Sequence, residues 1–400
     1  MSVYGCNKPC RKVFVTMNMT EHRLRILCVH QGAELYGSDR SFLQVVESIR
    51  RGWPNAHLRV ILAADGPLRA LLEKVADEVV IRNLCVLRLA NPISTISKGT
   101  IGLPYFVGAA LREIRRADLV YINTTVIADY MIAARFYPRK CVIHVREIPK
   151  SKAMPVVRCL VRESRARIIY NSHATEHAFA LPARQPQTVI HNGVAPVAAP
   201  KLLELPQTFS RERPLRIAML GRISDWKGQD LLIDSAASLA PQDRERLAIR
   251  IVGSTFGNAI EPNVALQLKI DAAGLTDYVT LEPFKDDPTD VYLWSDICAV
   301  PSRLPEPFGR VAVEAMSHAR PVIAAGHGGL VEIVNDKADG WLFTPNDTQA
   351  LATAIKSALD DPSGVATIAE AALKTFLDKF SSETMSSKIC ATLESYMNHV

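Results

Sequence analysis

Short runs of β-branched and apolar residues alternate along this chain with stretches of helical periodicity, and the alternation stops once and then restarts. That order constrains the fold more than any other feature, because strands joined by crossover helices form parallel sheets covered on both faces. In the first half, strands are expected at 24–30, 59–64, 119–123, 141–145, 167–171 and 189–191, with helices near 38–50, 68–75, 105–116, 126–136 and 155–164. A Pro- and Ala-rich stretch at 195–200 continues through 202–214 with little periodicity and reads as a linker. The second series has strands at 215–220, 247–252, 279–281, 297–300 and 322–325, helices near 229–239, 264–273, 311–318 and 349–359, and a last amphipathic helix at 383–396.

The expected architecture is therefore α/β, with two Rossmann-like, doubly wound parallel-sheet domains at 22–195 and 214–380, a linker at 196–213 and a C-terminal segment at 381–400. A chain of 400 residues with 48% hydrophobic content can bury two such cores. Residues 1–21 are expected to be a disordered leader, since Val13-Phe14-Val15 after Lys8, Arg11 and Lys12 is too brief for the core of a secretory signal. No apolar run approaches the roughly 18 residues needed to cross a bilayer. The eight cysteines are scattered rather than paired in spacing, which argues against a disulfide framework or zinc site and for the reduced cytosol.

Ligands of such sheets sit beyond the carboxyl ends of the strands, so the turns there matter most. The strand at 215–220 runs into Gly221-Arg222-Ile223-Ser224-Asp225-Trp226-Lys227-Gly228 and then a helix. Glycine permits a tight turn, and Arg222 and Lys227 are delivered beside free helix amides, a combination that suits a diphosphate. The plainer alternative pairs these cations with Asp225 or Asp230 on the surface. The lysine precedes the last glycine, so this is no Walker loop, and no Gly-x-Gly-x-x-Gly exists to support a nicotinamide site.

The strand at 297–300 leads into Pro301-Ser302-Arg303-Leu304-Pro305-Glu306-Pro307-Phe308-Gly309-Arg310-Val311-Ala312-Val313-Glu314-Ala315-Met316. One carboxylate, Glu306, lies in a proline-bounded loop and a second, Glu314, in the helix beginning near Gly309. Carboxylates accept hydrogen bonds from sugar or ribose hydroxyls, and the free amides of Phe308, Gly309, Arg310 and Val311 can face a phosphate or sugar oxygen. A glycosidase pair would need carboxyls about 5 Å apart. Eight helical residues span roughly 12 Å, so hydroxyl binding is the better assignment, with simple pairing of Glu314 on its helix as the alternative.

On these residues the chain resembles glycosyltransferase family 4. The family's Glu-x7-Glu motif is matched by Glu306 and Glu314, its Pro-Val-Ile-Ala…Gly-Gly…Glu-Ile-Val run by Pro321-Val322-Ile323-Ala324, Gly328-Gly329 and Glu332-Ile333-Val334, and its Gly-Arg…Lys-Gly turn by Gly221-Arg222 and Lys227-Gly228. The resemblance implies a GT-B fold, two domains facing a central cleft, with nucleotide in the C-terminal domain, acceptor mainly in the N-terminal one, and retention of anomeric configuration. It further implies that Arg222 and Lys227 hold the diphosphate, Glu314 with Val311 the ribose, and Glu306 with Phe308 and Gly309 the transferred sugar. The last helix would cross back to the first domain.

The N-terminal half matches less closely. Where the family shows a Gly-Gly pair after the first strand, near the donor phosphate, this chain has Gly37-Ser38; Gly37 allows close backbone approach and Ser38 is expected to cap the next helix. His144 ends a strand where the family often places a histidine beside the reacting sugar, which implies a catalytic contact there. Asn171-Ser172 and His191-Asn192-Gly193-Val194 also match, whereas Ala195 stands where many relatives carry aspartate.

No Asp-x-Asp triplet is present, and Asp286-Asp287-Pro288 reads as a helix start. Leaving-group charge is therefore expected to fall on Arg222 and Lys227 without a metal or other cofactor. The expected function is a retaining, metal-independent hexosyltransferase using a nucleotide-sugar donor and a glycan or lipid-linked acceptor, by family analogy in surface polysaccharide assembly. A nucleotide-sugar epimerase or hydrolase of the same fold and an inactive partner subunit are the alternatives. Between residues 139 and 167, nine Lys or Arg face only Glu147 and Glu163. This basic region is either a solvated helix face or a contact for anionic membrane lipid, which would make the protein cytoplasmic and peripheral at the membrane. No nucleic-acid partner is expected.

Overall fold

The computed structural model describes residues 23–35, 37–87, 92–149, 152–255 and 261–398, and of residues 92–101 the main chain alone. The first sheet comprises β1 (Arg25–His30), β2 (His57–Leu62), β3 (Glu78–Ile81), β4 (Leu119–Asn123), β5 (Cys141–Val145), β6 (Arg167–Tyr170) and β7 (Gln187–Val189) in the order β3-β2-β1-β4-β5-β6-β7. The second comprises β8 (Leu215–Leu220), β9 (Leu247–Val252), β10 (Val279–Glu282), β11 (Ile297–Val300), β12 (Val322–Ala325) and β13 (Gly340–Phe343) in the order β10-β9-β8-β11-β12-β13. Every pairing within both is parallel.

Each chain half starts its sheet in the middle and winds outward both ways. Strand order therefore reverses between β1 and β4 and again between β8 and β11, which opens a crevice at the carboxyl ends of each pair. The central strands β4, β5, β11 and β12 are buried along their whole length, as their predominantly apolar content requires of strands covered on two faces, with Asn123 and His144 the polar exceptions near the carboxyl ends of β4 and β5.

The last helix, Ser382–Met397, belongs to the first domain in packing. Its Met385, Ile389 and Leu393 join Phe42, Val45, Val46 and Ile49 of the helix Gly37–Gly52 in one core cluster. The return is pinned where the Val194 amide donates to the Phe380 carbonyl at 3.0 Å and the Ser382 amide to the Val194 carbonyl at 2.8 Å. Gly193 has to be bare there, because a Cβ would lie 2.7 Å from the Ser381 carbonyl oxygen.

Several elements escape the sequence reading. Strands β3 and β13 are short edge strands, and they and the helices His173–Phe179 and Pro362–Thr375 were not expected, whereas the helix Thr289–Trp294 follows the start read at Asp286-Asp287-Pro288. The helix expected near 105–116 starts at Pro92, its first half disguised by Ser94, Thr95, Gly102 and Pro104, all poor helix formers. Ser38 is no cap, since the helix already includes Gly37 and the Ser38 hydroxyl donates to Asp39 at 3.2 Å. The leader at 1–21 lies outside the described residues.

The linker is not featureless. Phe209 is buried in the second core, Leu203 and Leu205 pack on it, Arg213 forks onto Asp296 at 2.7 Å twice, and Arg320 donates to the Lys201 carbonyl at 2.8 Å. These contacts fix residues 201–213 to the second domain and frame a cavity of about 400 Å³ at the amino ends of β8 and β11, the edge opposite the chemistry below. Nor is 139–167 one basic face. Arg146 and Arg167 are buried, and Arg167 starts β6 with its guanidinium on the Arg139 and Tyr396 carbonyls at 2.7 and 2.6 Å.

Candidate active site

The turns after β8 and β11 are pressed together at the second crevice. Gly228 adopts φ +81°, and a Cβ there would lie 2.1 Å from the Pro301 carbonyl oxygen; the Arg303 amide donates to the Trp226 carbonyl at 2.7 Å. This contact brings Lys227 to Glu306, Nζ to Oε1 at 2.6 Å, with the buried Ser302 hydroxyl on the same oxygen at 2.5 Å. Lys227 also sits 4.3 Å from the Trp226 ring centroid. Its partner is thus neither Asp225 nor Asp230, and Asp230 is held by Arg303 at 2.6 and 3.2 Å. Arg222 is exposed on the same turn, whose shape is kept by Gln229 donating to the Arg222 carbonyl at 2.9 Å.

The main chain of Glu306 is set by the Gly328-Gly329 pair. Gly328 has φ +60°, a Cβ there would lie 2.6 Å from both the nitrogen and the oxygen of Glu306, and the Gly329 amide donates to the Glu306 carbonyl at 2.8 Å. Gly309, at φ +108°, precedes the helix Arg310–Ser317. The amides of Phe308, Gly309, Arg310 and Val311 have no hydrogen-bond partner among the described residues, leaving a row of donors at a helix start. The Phe308 ring packs near-parallel to His191 at 6.0 Å and edge-on to Phe380 at 6.1 Å, and the residue is 3% exposed.

Glu314 is half-buried between the Arg310 guanidinium at 2.7 Å and the Tyr292 hydroxyl at 3.1 Å. The pairing on its own helix therefore exists, but a carboxylate offers about four acceptor directions and these two donors leave some unfilled. Val311 packs partly against the second core in the same first turn. Arg310 reaches across to the Ser41 hydroxyl at 3.3 Å, and a Cβ on Gly37 would sit 3.6 Å from its Cδ. Gly37 thus faces the C-terminal domain at the start of its helix, with ordinary φ.

On the N-terminal side the carboxyl ends of β1, β4 and β5 carry a buried polar cluster that the sequence reading caught only at His144. Asp39 meets His30 Nε2 at 2.8 Å, Asn123 Nδ2 meets His30 Nδ1 at 2.9 Å, and the Arg146 guanidinium donates to Asn123, Asn192 and the Tyr121 hydroxyl. His144 is fully buried, its Nδ1 hydrogen-bonded to Tyr121, and its Nε2 has no partner among the described residues. Burial, and after it the Arg146 cation, holds His144 well below the ordinary imidazole range, so the ring is neutral. The signal in the sequence was available: polar residues ending strands otherwise built for burial.

Glu332 joins the domains. From the short helix Leu330–Ile333 it accepts from the His173 and Ala174 amides at 2.8 and 2.7 Å, at the start of the helix His173–Phe179, and from His191 Nε2 at 2.8 Å. Ser172 caps that helix and donates to the Pro307 carbonyl of the Glu306 loop. Burial raises the Glu332 carboxyl, but the His191, His173 and Ala174 hydrogen bonds together outweigh it and hold the group below the usual carboxylate range. Among the described residues no three His, Cys, Asp or Glu side chains are grouped to hold a metal ion.

The fold is a two-domain GT-B architecture, with the cationic turn of Arg222 and Lys227 at its second crevice. Residues 203–375 match the family of glycosyl transferases group 1. HepE from Anabaena, solved in complex with UDP, is 27% identical to the chain, with 93% of this chain and 100% of that one covered at a TM-score of 0.75. The same protein has also been solved with UDP and glucose and with UDP-glucose. D-inositol 3-phosphate glycosyltransferases from Salinispora arenicola and Rhodococcus jostii are 35% identical over 166 residues and 36% over 156, which is 40% and 38% of this chain. The match spans only 37% and 34% of those relatives' length.

Because Glu332 is held below its unfolded value, its contribution to stability is present above that value and is lost as pH falls through the folded one. Glu332→Gln is expected to lower stability by about 1.5–3 kcal/mol near neutral pH and to flatten the acid limb of the pH–stability curve, measured by urea unfolding. An unchanged acid limb would mean that Glu332 does not clasp the domains.

Proposed function

We propose that this protein is a retaining, metal-independent hexosyltransferase that moves a sugar from a nucleoside diphosphate, UDP foremost, onto a glycan or lipid-linked acceptor in surface polysaccharide assembly. The observation that carries this reading is the meeting of Lys227, Glu306 and Ser302 beside Arg222 where β8 and β11 part. A bound diphosphate competes with Glu306 for Lys227 and frees that carboxylate for the hydroxyls of the transferred sugar. Glu314 takes the ribose, and the unpaired amides of Phe308, Gly309, Arg310 and Val311 take phosphate or sugar oxygens. The UDP and UDP-glucose complexes of HepE support uracil as the base.

In the reaction the bond from the anomeric carbon to the phosphate oxygen breaks, and the acceptor hydroxyl attacks the same face. Its proton passes to the departing phosphate, whose charge Arg222 and Lys227 neutralise. Domain clasping through Glu332 brings His144 and Gly37 to the donor side. Transfer is expected to proceed undiminished in excess chelator, with the product keeping the donor's anomeric configuration by NMR. Turnover restored only by manganese would contradict the metal-free route, and conversion of donor without acceptor would point to the epimerase or hydrolase instead.

The membrane contact is proposed through the helix Met154–Ser164, where Val156 is 53% exposed among the exposed cations Lys152, Arg158, Arg162 and Arg165. No helix among the described residues is long and apolar enough to cross a membrane. Sedimentation with anionic but not zwitterionic vesicles at low salt, weakened by added salt, is the expected outcome. Equal indifference to both would remove the membrane from the account.

A further inference from the structure

The unpartnered Nε2 of His144 identifies more than an empty bonding position, because the groups around Nδ1 determine where the ring carries its hydrogen. Arg146 Nη2 lies 3.3 Å from His144 Nδ1 and 3.3 Å from the Tyr121 oxygen, and Tyr121 is itself bonded to Nδ1. A guanidinium has donors only. Were the hydrogen on Nδ1, it would point at an arginine N–H, and the tyrosine oxygen would take two donors while its own hydrogen found no acceptor. With Nδ1 bare, Arg146 donates to the Tyr121 oxygen, Tyr121 donates to Nδ1, and the second Arg146 hydrogen points at the same lone pair.

Resting on the sugar-transfer reading, we infer that Arg146 and Tyr121 are positioning residues that hold His144 as the neutral tautomer with its hydrogen on Nε2. His144 therefore presents a fixed N–H donor to a sugar hydroxyl or the departing phosphate, and it cannot serve as a general base there. The fork of Arg146 is itself immobilised. Nε donates to Asn123 Oδ1 and Nη1 to Asn192 Oδ1, and Asn123 turns its amide hydrogen to His30, which meets Asp39. Arg146 is 7% exposed and none of these bonds takes its charge onto a carboxylate, so its position depends on geometry rather than on an ion pair.

The charged and titratable groups facing the ring are Tyr121 from β4 and Arg146 just past β5. His30 and Asp39 act one residue further out, and Cys28 on β1 acts on Tyr121. Burial pushes the Tyr121 phenol up to about 12, which keeps it a hydroxyl donor at working pH. Asn123 was oriented by its neighbours, and that orientation agrees with the donor-only character of Arg146.

The test is imidazole nitrogen NMR on the full chain labelled with 15N-histidine, with His144→Asn assigning the resonance. Wild type is expected to show a protonated Nε2 and a bare Nδ1, unchanged from about pH 5 to pH 8, the window in which an ordinary histidine titrates. Tyr121→Phe, which keeps the ring in the core, and Arg146→Met are expected to give mixed tautomers or a titration within that window, and Tyr121→Phe to lower kcat with little change in donor KM. A protonated Nδ1 in wild type, a histidine that titrates normally, or an unchanged tautomer in both folded variants would overturn the inference. The expected tautomer with no response to any nucleotide sugar would support the assignment of Arg146 and Tyr121 and count instead against the transferase reading.

Discussion

The site depends on one close contact, the turn after β8 lying against the turn after β11. Gly228 is the residue that allows it, because both its left-handed φ and its 2.1 Å clearance to the Pro301 carbonyl exclude a side chain. Without that approach Lys227 could not reach Glu306, and the cationic turn and the carboxylate loop would remain separate features of two crossovers. The reversal of strand order between β8 and β11 creates the crevice, and the glycine lets two loops share it.

A second level of dependence runs between domains. Gly328 and Gly329 shape the Glu306 loop from behind, and three residues on Glu332 grips the first domain at the His173 and Ala174 amides and at His191. Displacement of the first domain therefore acts on the same segment that sets Glu306. The chain's return through Ser381 to the helix Ser382–Met397 ties the far end of the second domain to the core beneath His30 and Phe42. Motion between the domains is limited by these contacts rather than freed by the linker, most of which is built into the second domain.

The central strands and the turns after β8 and β11 were legible because their signals are local: apolar runs, a glycine with cations, carboxylates eight apart. Strands β3 and β13 were not, since their apolar runs of three residues, Val79–Ile81 and Trp341–Phe343, are too short to show a periodicity of their own. The packing of the Phe308 ring against His191 and Phe380 was not legible, because an aromatic in a binding loop and one packed between domains look alike in sequence. The cluster of His30, Asp39, Asn123, Arg146 and Asn192 was not legible as a cluster for a different reason: its members come from β1, the helix Gly37–Gly52, β4 and the turns after β5 and β7, and only the parallel register brings Asn123 beside both His30 and His144.

The most direct test of the central claim is thermal stabilisation by UDP-, GDP- and ADP-sugars without metal, on wild type and on Glu314→Ala. The account predicts selective stabilisation by a UDP-sugar that Glu314→Ala loses. No stabilisation by any donor, or stabilisation equal in the variant, would contradict a nucleotide site between the turns after β8 and β11.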